Sequence, residues 1–146
     1  MSQQNGDWYQ IEMKKTEKDL DVLLKKMHPF LNKGEFVFFY SPKIKKEILN
    51  DAILLFKETE GTTVILPKTI ADNLNIEYTS IFSWITLLVN SSLNAIGFTA
   101  KFSSELARHN INCNVIAGYH HDHIFVNKTN SERAIEILKQ LSENHK

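Results

Sequence analysis

The sequence predicts an α+β fold in which an antiparallel sheet carries helices on one face. From Ile81 onward, stretches of strand and helix character follow one another as strand, helix, strand, strand, helix. A looser version of the same order, with one short segment in place of the first helix, occupies the first half. The chain has 146 residues, 42% of them hydrophobic and 23% charged, which is ordinary globular composition. That length suits one compact unit or two very small ones sharing a core.

Residues 1 to 15 are polar and weakly patterned apart from Trp8, Tyr9 and Ile11, and read as a flexible N-terminal arm. Thr16 and Asp19 form a capping signature, and Leu20, Leu23, Leu24 and Met27 follow at helical spacing. Pro29 stops that helix near His28. Glu35 to Tyr40 is an aromatic, β-branched strand, broken by Ser41-Pro42. Lys43 to Asn50 is short and basic, suited to one or two helical turns. Ala52 to Lys57 and Thr62 to Leu66 read as strands joined at Glu60-Gly61, and Pro67 opens a short helix to Asn73.

Ile81 to Val89 is apolar on both faces, as a central strand covered on both sides should be. Asn90-Ser91-Ser92 leads through Gly97 into a helix striped by Phe98, Phe102 and Leu106. Asn112 to Gly118 and Asp122 to Asn127 are strands. Thr129 and Glu132 suggest a second capping box, ahead of a helix lined by Ala134, Ile137, Leu138 and Leu141. With one more strand this is the split βαβ, ferredoxin-like arrangement. The chain ends where that strand should begin, so the first half or another subunit must supply it. The expected division is a degenerate unit over 16–78 and a more regular one over 79–146.

Composition narrows the function classes. Seventeen basic and seventeen acidic residues leave no net charge, against a dedicated nucleic-acid or anionic-membrane surface. The run from Ile81 to Val89 is about half the length needed to span a bilayer, and the N-terminus lacks the pattern of a secretory signal. The expectation is a cytoplasmic protein. Cys113 is the only cysteine, which excludes an internal disulfide and an all-cysteine zinc site.

The C-terminal half resembles an ACT domain, the small ligand-sensing module of amino-acid metabolism. The whole chain resembles a bacterial family of small stand-alone tandem-ACT proteins of unknown function. The resemblance is carried by GEFVFFY (34–40), FKETEGTTVILPKTIAD (56–72) and FSWITLLVNSSLNAIGFTAKFSSELARHNINCNVIAGYHHDHIFV (82–126). It implies two βαββαβ ACT units, a homodimer, and an amino acid or related metabolite bound between units. In serine-sensing ACT domains a loop reads His-x-Asn-x-Pro-Gly, and an Asn early in the second strand reaches the ligand from the partner. On this chain those positions fall on Ser92, Asn94, Ile96, Gly97 and Asn114. Ser92 has no ring donor and Ile96 no fixed φ.

The residues support a site at the same loop. Backbone N–H groups at a helix start suit a carboxylate, and Asn94 and Asn114 each offer a donor and an acceptor. The alternative is a tight turn in which Asn90 and Ser91 only cap the helix. Tyr119-His120-His121-Asp122-His123 should lie at the same sheet end, with His121 and His123 on one face facing the ligand or adding pH sensitivity. A competing reading makes His121, Asp122 and His123 the core of a metal-dependent enzyme, with Asp51 as another possible ligand, although adjacent residues alone rarely complete a site. A third is a purely structural interaction module. Cys113 reads as a small buried hydrophobe and not as a nucleophile. No phosphate loop or dinucleotide fingerprint is present, and the expected function is regulatory and non-enzymatic, with no metal and no cofactor. Glu58, Glu60, Lys43, Lys45 and Lys46 read as solvated.

Overall fold

The computed structural model describes residues 16–146; the expected N-terminal arm, 1–15, lies outside them. In chain order the elements are α1 (Leu20–Lys26), β1 (His28–Leu31), β2 (Phe36–Ser41), α2 (Lys46–Leu49), β3 (Leu54–Lys57), β4 (Thr62–Pro67) and α3 (Lys68–Asn73). The second half holds β5 (Phe82–Leu88), α4 (Phe98–Arg108), β6 (Cys113–Ala117), β7 (Asp122–Asn127) and α5 (Ser131–Glu143). The strands form one seven-stranded sheet in the order β3-β4-β2-β5-β7-β6, with β1 also paired to β5. Every pairing between these strands is antiparallel. The α+β, ferredoxin-like class read from the sequence is the observed one.

The strand needed to complete the second half is β1. Its four residues pair with β5 from His28↔Leu88 to Leu31↔Ile85, giving the local order β6-β7-β5-β1. Pro29 ends α1, as its place in the sequence predicts. It is also a strand residue, and a proline fits there because β1 lies on an edge and need not donate on its outer side. Phe36 of β2 pairs with Phe82 on the same side of β5, beyond the end of β1. Thus β1 and β2 lie end to end along β5, and the two halves share one sheet.

The described helices all lie on one face, as alternation dictates. Ile85, Leu87, Ile124 and Val126 join Leu23 and Leu24 of α1, Phe98, Phe102 and Leu106 of α4, and Ala134, Ile137, Leu138 and Leu141 of α5 in the largest core cluster. In the first half, Val37, Val64 and Leu66 meet Ile48 and Ala71 on the same side. The opposite face is aromatic. Phe36, Phe38, Phe82, Trp84 and Phe125 form a continuous layer, with Trp84 stacked on Phe125 at 5.9 Å and Phe38 against Phe82 at 4.9 Å. Ile65 and Phe125 are 0% and 1% exposed although no described helix covers them. Ring-on-ring packing across β2, β5 and β7 therefore joins the halves where backbone pairing is a single rung.

Two capping assignments are corrected. Asp19, not Thr16, caps α1, its carboxylate accepting the Val22 N–H at 3.0 Å. The Thr129–Glu132 box does not form. Asn127 accepts from both the N–H and the hydroxyl of Thr129, residues Lys128–Asn130 make a 3-10 turn, and α5 starts at Ser131. An Asn at the strand end thus outcompetes the threonine downstream. Among the described residues, no helix is long and apolar enough to cross a membrane.

If α1 is integral to the core, Leu23→Ala should cost about 2–5 kcal/mol through the cavity it leaves. A change under about 0.5 kcal/mol in urea denaturation, the range of ordinary surface substitutions, would show that α1 packs only peripherally.

Candidate functional site

The loop after β5 is held on two sides. The Ser91 N–H donates to the His120 carbonyl at 3.2 Å, and the Ser91 hydroxyl to the Asp122 carboxylate at 3.4 Å. On the other side the Glu17 N–H donates to Asn90 O at 2.8 Å, and the Ser92 N–H to Glu17 O at 2.9 Å. The loop and the histidine hairpin thus share a sheet end, as read from the sequence. The Ser92 hydroxyl accepts the Asn94 N–H at 3.1 Å, which commits it to the turn. Asn94 is exposed, and Ile96 is 86% exposed.

Gly97 enters α4 in the left-handed region, φ +92°, where a side chain would be strained. Leu20 of α1 lies over it, and an added Cβ would sit 3.2 Å from the Leu20 methyl. Among the described residues no side chain caps α4, and its first-turn N–H groups have no side-chain acceptor there. These groups and the helix dipole favour a carboxylate.

Asn114 lies elsewhere in the same chain. It pairs with Phe125, which pairs with Trp84, whereas the loop starts beyond Leu88. At roughly 3.3 Å per residue, Asn114 is about 10 Å down the sheet from Leu87. Its amide donates to Phe125 O at 3.4 Å. Ser92, Asn94, Ile96 and Gly97 are therefore together, His121 and His123 lie at the neighbouring hairpin, and Asn114 is apart from the loop within one chain.

The histidines have separate roles. His123 faces the aromatic layer, and its Nδ1 accepts the Trp84 indole N–H at 3.0 Å, with the Thr86 hydroxyl also at 3.0 Å. The Asn32 amide, just beyond β1, donates to Thr86 Oγ1 at 2.9 Å and to Trp84 O at 3.2 Å. Because the indole can only donate, the neutral ring carries its proton on Nε2. Gly118 accommodates this ring: an added Cβ would lie 2.8 Å from His121 O and 3.2 Å from His123 Nε2. Asn32 and Trp84 were not candidates on sequence, since 52 residues separate them; the polar Thr86 inside an apolar strand was the available signal.

Asp122 points to the other face, buried and bonded to Ser91. His121, Asp122 and His123 therefore do not converge. Among the described residues, no group of three or more His, Cys, Asp or Glu side chains is placed to hold a metal ion. Burial pushes the Asp122 carboxyl up, opposed by Ser91 and His121. Burial also raises the Cys113 thiol, which fits its apolar packing and not a nucleophile.

Models of the ACT-domain family match residues 15–83 and 79–140. A solved protein of unknown function from Vibrio cholerae, described as a possible transport protein, is 40% identical, with TM-score 0.77 over 86% of this chain and 97% of that one. The chain belongs to the ACT-domain family. Aspartokinase alpha and beta subunits share the fold at 13% identity and TM-score 0.56, over 78% of this chain and 96% of that one. So does aspartate kinase of Clostridium acetobutylicum at 11% identity and TM-score 0.59, over 77% of this chain and 34% of that one. No match was found among curated proteins. Membership of the family supports a ligand-binding regulatory role for the chain.

Burial, then the neighbouring His121, lowers the affinity of His123 for a proton; burial, then His120, does the same to His121. Both groups lie below their ordinary 6.5, so the unfolded chain binds protons more readily and stability falls as pH drops below about 6.5. Asp122, raised from 3.8, contributes the opposite slope above about pH 3.8. The thermal midpoint should fall between neutral pH and pH about 5, and His123→Asn should flatten the fall. Equal slopes in the two proteins would remove His123 from the acid response.

Proposed function

We propose that this ACT pair, with units over 16–78 and 79–146 and β1 lent to the second, is a cytoplasmic homodimeric regulatory module. Its ligand is an amino acid or related small metabolite. The observation that carries this reading is the start of α4 behind Gly97, which no side chain caps among the described residues, beside the exposed Asn94. In this reading the ligand carboxylate takes the first-turn N–H groups of α4, and Asn94 reads the amino group. Asn114, distant within one chain, serves the loop of the other protomer in the dimer. His121 borders the site, while His123 acts through the Trp84–Thr86 network.

Binding would act by shifting a dimer or partner-docking equilibrium, by no more than the ligand's differential affinity for the two states. Isothermal calorimetry against the standard L-amino acids should give a binder. Gly97→Val should abolish that binding, because a side chain is strained at φ +92° and its Cβ, 3.2 Å from Leu20, would shift the start of α4. Asn114→Ala should weaken it about tenfold or more, the loss of a hydrogen bond to a charged group. No binder across the panel, or a binder indifferent to both substitutions, would refute the loop site.

A further inference from the structure

The two halves cover the same sheet face unequally. Between β5 and β6, residues 89–112 include the 11-residue α4. Between β2 and β3, residues 42–53 hold only α2, four residues long. In the second half α1 packs against both α4 and α5; its Leu20 covers Gly97, and its Leu23 and Leu24 are 0% and 1% exposed. No such helix covers the first half among the described residues. A cavity of about 380 Å³ is present there, between the end of β2, α2 and the segment after α3.

The lining has two chemistries. Ile48, 3% exposed, and the half-buried Phe39 and Ile76 give an apolar inner wall, extended outward by Leu74. Lys45 and Glu47, both exposed, put one positive and one negative charge on the outer wall. Neither is in an ion pair among the described residues. The volume lies within the range of about 300–1,000 Å³ usual for small-ligand pockets, which are largely apolar with a few orienting polar groups. A docked apolar helix is the poorer occupant, since it would strip water from both charges without replacing it.

We propose that this cavity is a second ligand site, independent of the Asn90–Gly97 loop, that takes a small zwitterion with an apolar body. The apolar body lies against Phe39, Ile48, Leu74 and Ile76, the anionic end faces Lys45 and the cationic end faces Glu47.

The test is calorimetry on the full chain with L-valine, L-leucine, L-methionine and L-phenylalanine, alongside isocaproate and isopentylamine, which each lack one charge of leucine. At least one amino acid should bind, and the single-charge analogues of leucine should bind at least about tenfold more weakly than leucine. Lys45→Gln and Glu47→Gln, both at exposed positions, should each weaken the amino acid by about tenfold with the thermal midpoint unchanged. Leu74→Trp should abolish binding by filling the cavity. Gly97→Val and Asn114→Ala should leave it intact. Silence from all four amino acids at millimolar concentration would overturn the proposal. So would binding that survives Lys45→Gln, Glu47→Gln and Leu74→Trp. Binding lost with Gly97→Val but kept in those three variants would locate the ligand at the loop and reject the cavity. A concentration-dependent dimer dissociated by Leu74→Trp, with no amino acid bound, would assign the cavity to a second copy and also reject the proposal.

Discussion

The edge of β5 opposite β7 must be paired, and much of the architecture follows from how it is. A central strand cannot leave a row of backbone donors and acceptors unsatisfied against a packed core. Here β1 takes most of that edge and the first residue of β2 meets its far end. Once β1 is docked, the helix before it has little choice of position. α1 lies on the helical face, its leucines enter the core with α4 and α5, and Glu17 reaches the loop at Asn90 and Ser92. The residue after β1, Asn32, holds the opposite face through Thr86 and Trp84. One edge pairing therefore places the loop, the cover over Gly97 and the network that seats His123.

That dependence explains why the candidate site belongs to the whole chain although its residues are local in sequence. Ser92 to Gly97 span six positions, but their conformation depends on Glu17 and Leu20 from one direction and on His120 and Asp122 from the other. A ligand at the start of α4 would touch a surface reporting on both ends of the chain. This is a physical route by which occupancy could alter how the molecule presents itself to another protein or to its own copy.

The histidine hairpin shows how composition and arrangement diverge. Three histidines and an aspartate in four positions suggest a metal site, yet strand alternation sends Asp122 toward Ser91 and His123 toward Trp84. The acceptor on His123 satisfies an indole N–H that would otherwise be poorly solvated in the aromatic layer. Gly118 is required there for space and not for a positive φ, since its absent Cβ leaves room for the imidazole.

Local patterns in the sequence were sufficient for the α+β class, for most strands and helices from Phe36 onward, for the stripe of α4 and for the shared sheet end of the loop and hairpin. Each of these depends on periodicity, turn residues or the two-residue alternation of a strand. They were insufficient for β1, because four residues around a proline carry no strand signal of their own. They also pointed to Thr16 and Thr129 as caps, where the folded geometry selects Asp19 and Asn127. Asn114 is the sharpest case. Resemblance brings it to the loop from a partner protomer, and the register of β6 on β7 sets it well down the sheet from the loop of its own chain. Register and edge pairing are long-range choices, made where distant segments bury the most apolar surface and satisfy the most backbone groups, and only the assembled sheet records them.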